Sequence, residues 1–157
     1  VVTHALNWFE ENVNRVDYVL TVYPTAVLIS QHDIINAMNM LKQDLKADSV
    51  MSATTFPFPI QRAIFKNSKG YAEMFEPSNH SKRSQDLVES MHDAGQFYLS
   101  KSEAVRNNAL LINSKVIIQL LNRRNVVDID TPEDFELAED KLRLHKESSE
   151  YKDWKFT

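Results

Sequence analysis

Asp128 and Asp130 flank Ile129 in the run VVDIDTPEDFELAE, and their type and spacing point to metal chemistry. Val126 and Val127 read as the end of a buried strand. Successive strand side chains alternate faces, so the two aspartates are expected to point the same way. Thr131 then has the character of an N-cap, with Pro132 at the first helical position and Asp134 three residues after the cap. Two acidic groups thus converge where a strand gives way to a helix, the edge at which open α/β sheets bind ligands. Hard carboxylates there suit a hydrated Mg²⁺, which is usually held by one or two carboxylates plus substrate phosphates. Taken alone, the run also admits a plainer reading, in which Asp130 only favours the helix dipole.

A second group lies in HDAGQFY, residues 92–98. Gly95 allows a close approach of backbone to a ligand or an unusual dihedral. Alternation puts Gln96 and Tyr98 on one face, where they could line a polar pocket, with Phe97 opposite in the core. His92 has a side chain that titrates near neutrality, but a turn histidine is more often solvated, and it is assigned no catalytic part. The five histidines show no metal-ligand spacing. Thr25 follows Tyr23-Pro24 at the end of an early strand, where it serves either as a donor to a ligand oxygen or as a loop cap. Arg83 and Gln85 belong to the polar loop PSNHSKRSQ. An arginine fork there either grips a carboxylate or pairs with Asp86 or Glu89.

The elements that must position these residues alternate in type. Val2, Ala5, Leu6, Phe9 and Val13 recur at helical spacing. Residues 17–23 (DYVLTVY) read as a buried strand. Ser30 and Asp33 form a capping box for a helix with Ile34, Met38, Leu41 and Leu45 on one face. Further strands are expected over 49–54, 94–99, 116–121 and 126–129, with a hairpin turning near Lys69-Gly70. A short helix opens near Ser100 or Ser102, and the last helix runs from Pro132 to about His145. The tail beyond Glu147 is polar and expected to fray. Strands alternating with helices indicate a single α/β domain with a mixed, mainly parallel sheet.

Composition narrows the function classes. A chain of 157 residues with net charge −4 offers no broad nucleic-acid-binding surface. Cysteine is absent, which removes thiol nucleophiles and cysteine–zinc sites and fits a cytoplasmic setting. No apolar run is long enough to span a bilayer. Gly70 and Gly95 are the only glycines, so the chain contains no glycine-rich phosphate loop.

Four stretches, YPTAVLIS, FPFPIQRA, RSQDL…HDAGQFY and VVDIDTPEDFELAE, together resemble the cytidylyltransferases that activate nonulosonic acids. The resemblance runs from about His4 to Leu142, and RSQDL with HDAGQFY favours the pseudaminic acid branch over the CMP-sialic acid synthetases. It implies a Rossmann-like nucleotidyltransferase fold, a homodimer, and transfer of CMP from CTP to a nine-carbon sugar acid with Mg²⁺ and release of pyrophosphate. It implies that Asp128 and Asp130 hold the metal. It also places Arg83 at the sugar carboxylate, with Gln85, Asp93, Gln96, Tyr98 and Thr25 around the substrate. Val27 and Leu28 depart from the Pro and Phe that usually follow Ala26 in the family. The family begins with a basic, glycine-containing phosphate loop that has no counterpart here. The chain is therefore expected to be the C-terminal two-thirds of such an enzyme, or a catalytically silent sugar-binding and dimerisation domain derived from one.

Overall fold

A computed structural model describes residues 1–107 and 114–147, the last two by backbone alone. The tail beyond Glu147 lies outside the described residues. Helix α1 (Val2–Asn12) leads into β1 (Tyr18–Val22), followed by α2 (Gln31–Gln43) and β2 (Ser49–Thr55). A small hairpin, β3 (Ile64–Lys66) and β4 (Ala72–Met74), precedes the long β5 (Met91–Lys101). Helix α3 (Ser102–Arg106), β6 (Val116–Leu120) and α4 (Pro132–Glu147) complete the chain.

The main sheet has the order β1-β5-β2-β6. Strands β2 and β6 pair in parallel, while β5 runs antiparallel to both β1 and β2. The α/β class and the mixed sheet expected from the sequence are present, with β5 as the reversed strand between two that share a direction.

Alternation along β5 separates the two faces. Phe97 and Leu99 point to one side, where they meet Val50 of β2 and Ala37 and Leu41 of α2 in the main core. Phe97 and Val50 are wholly buried. Tyr98 and Ser100 point to the other side, with Thr21 of β1, Val2 of α1 and Val105 of α3 around them. A half-buried ion pair, Arg106 to Glu10 at 2.8 Å, ties α1 to α3. A second cluster joins Leu28, Val127 and Ala138, and packs α4 over the end of the sheet.

Local chemistry explains the helix starts. The Ser30 Oγ accepts from the Asp33 amide at 3.2 Å, and the Asp33 carboxylate accepts from the Ser30 amide at 2.8 Å. Thr131 and Asp134 repeat the arrangement at α4, at 3.2 and 2.9 Å. Leu45, expected on the apolar face of α2, is instead exposed, because the helix ends at Gln43 and Asp44 turns the backbone to an extended conformation.

The segment 126–129 is not a strand. The Leu121 amide makes one more bond, to the Ala53 carbonyl at 2.8 Å. The Asn122 side chain then accepts from the Arg124 amide at 3.1 Å and caps a 3₁₀ turn over Arg123–Asn125, which lifts the chain off the edge of β2. Beyond the turn the backbone is extended but has no ladder. The alternation survives without it: Val126 and Val127 are buried, Ile129 packs against the second core, and Asp128 and Asp130 face solvent.

Candidate functional site

The C-terminal ends of β1, β2 and β6 share one edge of the sheet, because these strands run in the same direction. The start of β5 returns to the same edge, and there its pairing with β2 breaks. Met51 lies opposite Tyr98, yet Ala53 lies opposite Asp93, so extra residues bulge out of β5 between these pairs. Gly95 occupies the bulge at φ +61°, a left-handed conformation that side chains disfavour. Ser52 repairs the ladder from β2: its Oγ accepts from the Phe97 amide at 3.1 Å and donates to the Phe97 carbonyl at 2.9 Å.

The bulge brings the two acidic motifs together. A Cβ on Gly95 would stand 3.2 Å from Asp128 Oδ1 and 3.3 Å from its Cγ. The absent side chain thus lets the Asp128 carboxylate pack closely against the backbone at Gly95, tighter than a Cβ there would ordinarily allow. The next residue fixes the backbone: Gln96 Nε2 donates to the Val127 carbonyl and to the Ala94 carbonyl, both at 3.0 Å. From the far side, Lys141 of α4 donates to the Val126 carbonyl at 2.7 Å and to Arg123 at 2.9 Å. Burial lowers the Lys141 pKa below the usual lysine value.

Gln96 is 1% exposed and so does not line an open pocket. Its position between two carbonyls comes from the bulge, which a plain alternation cannot anticipate. Asp93 is also engaged within the protein. One oxygen accepts from the Gly95 amide at 2.9 Å and the other accepts from the Tyr98 hydroxyl. Tyr98 is half-buried; desolvation raises its pKa, and the bond to Asp93 and that carboxylate's charge raise it further. The Tyr23 ring meets Tyr98 edge-on, with centroids 5.9 Å apart, and the Tyr23 amide bonds the Gln96 carbonyl at 3.0 Å. Thr25, two residues on and half-buried, stands in the turn after β1, where its carbonyl accepts from Val27 at 2.9 Å. Asp93, Tyr98 and Asp128 are therefore grouped through the bulge, with Tyr23 against Tyr98, whereas Thr25 is linked to the group through the chain, by its place in the turn after Tyr23.

Asp128 and Asp130 are exposed, and neither carboxylate accepts a hydrogen bond from the described residues. Asp134 is occupied by the helix cap, and its bonds from Thr131 hold its carboxyl below the usual range. The donor set is two unpaired carboxylates, with no cluster of three acidic or histidine ligands among the described residues. Such a set fits Mg²⁺, whose remaining positions are taken by water and phosphate oxygens.

Arg83 and Gln85 sit elsewhere, on the excursion between β2 and β5. Arg83 makes a two-pronged contact with Asp86, at 2.9 and 3.1 Å, with 71% of its side chain exposed. Gln85 lines a cleft of about 350 Å³ with the Phe56-Pro57-Phe58-Pro59 turn, Leu87 and Val88. Gln61 and Arg62 hold this excursion by bonding the Val88 and Lys82 carbonyls. Ser52 and Lys141 were not visible as site residues in the sequence, since each acts on a backbone group remote in the chain.

No protein-family model matches the chain. Among curated proteins, it is 32% identical to a pseudaminic acid cytidylyltransferase of Campylobacter jejuni subsp. jejuni serotype O:2 over 95% of this chain and 64% of that protein. The serotype O:23/36 counterpart is 31% identical over 94% and 63%. The chain thus spans less than two thirds of the length of these relatives. Two solved structures share the fold. A 4-diphosphocytidyl-2C-methyl-D-erythritol synthase from Anaerococcus prevotii superposes with a TM-score of 0.53, at 14% identity, over 88% of this chain and 64% of that one. A CMP:2-keto-3-deoxy-manno-octonic acid synthetase complexed with CTP gives 0.52 at 12% identity, over 94% and 69%. The chain is thus similar in sequence to pseudaminic acid cytidylyltransferases over most of its own length, and it shares its fold with these two solved structures.

Proposed function

We propose that this chain carries the metal- and sugar-binding side of a cytidylyltransferase that transfers CMP from CTP to a nine-carbon α-keto acid sugar, with pseudaminic acid as the acceptor. The observation that carries the reading is the contact of Asp128 with Gly95. It joins HDAGQFY and VVDIDTPEDFELAE, the motifs of the resemblance, at one sheet edge.

In the proposed reaction the anomeric hydroxyl oxygen of the sugar attacks the α-phosphorus of CTP. A new O–P bond forms, the bond from the α-phosphorus to the bridging oxygen breaks, and pyrophosphate leaves with that electron pair. The hydroxyl proton is released. Asp128 and Asp130 hold Mg²⁺, which when bound neutralises charge on phosphate oxygens during in-line displacement. Arg83 orients the sugar carboxylate once it exchanges Asp86 for substrate. Tyr98, Asp93 and Thr25 bound the acceptor side, and Gln85 contributes from the FPFP cleft.

A homodimer and a cytoplasmic setting belong to the same proposal. The support for a dimer is the apolar surface of the excursion: Phe58, Ile64, Tyr71, Phe75 and Val88 are each more than 60% exposed.

The test is CTP-dependent pyrophosphate release with pseudaminic acid, sialic acid or no sugar, with and without Mg²⁺. Release that requires pseudaminic acid and metal is expected, and the Asp128→Asn, Asp130→Asn double variant should lose roughly 100-fold or more. Release indifferent to sugar or metal would sink the reading. No release, with sugar binding retained in calorimetry, would identify a silent sugar-binding domain instead.

A further inference from the structure

We infer that Gly95 and Gln96 are positioning residues for Asp128: the bulge of β5 is the device that orients the metal-binding carboxylate. The inference rests on the metal reading above. Three observations carry it. The backbone of Asp128 belongs to no ladder, so nothing regular fixes it. Its carboxylate packs beside Gly95, 3.2–3.4 Å from where a Cβ would stand, so any side chain there would crowd it. The carbonyl just before it accepts from Gln96, whose side chain is almost wholly buried.

Gln96 shows where its function lies by what it leaves unmade. Its Oε1 is buried without a partner, while both amide protons go to carbonyls. A buried acceptor left unmade is normally costly. The side chain is therefore arranged for donation to Val127 and Ala94, and it has no free donor for a sugar hydroxyl. Gly95 supplies two things at once: a positive φ, and room. The two can be separated, because asparagine tolerates the left-handed conformation yet still carries a Cβ.

The experiment uses this chain, labelled for NMR, with Mn²⁺ as the probe. Paramagnetic broadening of amide signals reads weak binding directly and needs no turnover. In the native chain, broadening should centre on residues 93–96 and 128–131. Gln96→Leu should shift the Asp128 and Ile129 amide resonances and require roughly tenfold more Mn²⁺ for equal broadening, one decade of affinity. Gly95→Asn should do the same although it accommodates the dihedral. Both variants should keep the native dispersion of resonances from α2 and β2. A merely structural role would move unfolding without this local change in metal response.

Two results overturn the inference. One is Gln96→Leu with unaltered Asp128 resonances and unaltered Mn²⁺ response. The other is an unaltered metal response together with weaker sugar binding, which would make Gln96 a sugar contact. If the native chain shows no localised broadening, the metal reading fails separately. The positioning of Asp128 is then decided by its resonances alone: a shift in Gln96→Leu upholds it, and none refutes it.

Discussion

The bulge of β5 and the excursion between β2 and β5 are consecutive in the chain and built on opposite plans. In the bulge, every polar side chain from Asp93 to Tyr98 is committed to the protein, and Ser52, Gln96 and Lys141 bond backbone groups far away in sequence. On the excursion, Arg83 faces solvent and its ionic partner among the described residues is a neighbour three residues on. Under the proposed function, the difference separates two requirements. Groups proposed to hold a metal gain from being preorganised, since carboxylates cost less to bring together when the fold has already done it. A group proposed to greet a substrate carboxylate must first be reachable, and an exposed ion pair is weak enough to exchange.

The comparison can be broken most strongly from its rigid side. Ser52 is fully buried and satisfies both the amide and the carbonyl of Phe97. Ser52→Ala should cost about 1–3 kcal/mol, since it leaves buried backbone groups unpaired. Urea unfolding would measure it, and a change within about 0.5 kcal/mol would show that the bulge closes without the hydroxyl.

From the exposed side the effects separate differently. Arg83→Ala should change stability by less than about 1 kcal/mol, because the pair it breaks is exposed. It should still weaken sugar-acid binding by roughly tenfold or more, the worth of a charge-assisted bond. Calorimetry of pseudaminic acid binding would sharpen the contrast. Equal binding by native and variant chains would remove Arg83 from the site.

The smallest effect belongs to pH. The Asp134 carboxyl is held below its ordinary range, first by the Thr131 hydroxyl and then by backbone amides. Its folded pKa lies below the unfolded one, so its contribution is complete above the ordinary carboxylate range and fades as pH falls through the folded value. The stability difference between native chain and Asp134→Asn should therefore narrow between neutrality and about pH 3. A thermal unfolding series that shows a constant gap would contradict it.

What the sequence made legible was what short stretches decide by themselves. The Ser30/Asp33 box and the Thr131 cap close within one helical turn, and both form as read. The turn at Gly70 follows from a residue that reaches φ 86° without strain. The burial of Phe97 follows from alternation. What could not be read depended on partners elsewhere. The apolar pair Val126-Val127 looks like a strand, but a strand needs a neighbour, and Asn122 has already turned the chain away. The direction of β5 is likewise a property of the sheet. For the site, the acidic residues were legible by type, while the burial of Gln96 and the self-engagement of Asp93 were not. Both are set by a bulge whose only written trace is one glycine.

Lys141 has a further consequence for biosynthesis. It clamps the carbonyls of Arg123 and Val126, yet it lies beyond both aspartates in the chain. A polypeptide leaving the ribosome therefore exposes Asp128 and Asp130 before the residue that secures their segment has emerged. At about 5–20 residues per second the interval is roughly a second. During that interval the acidic pair has emerged but lacks its clamp, so the segment that carries it is the last part of this edge to be secured.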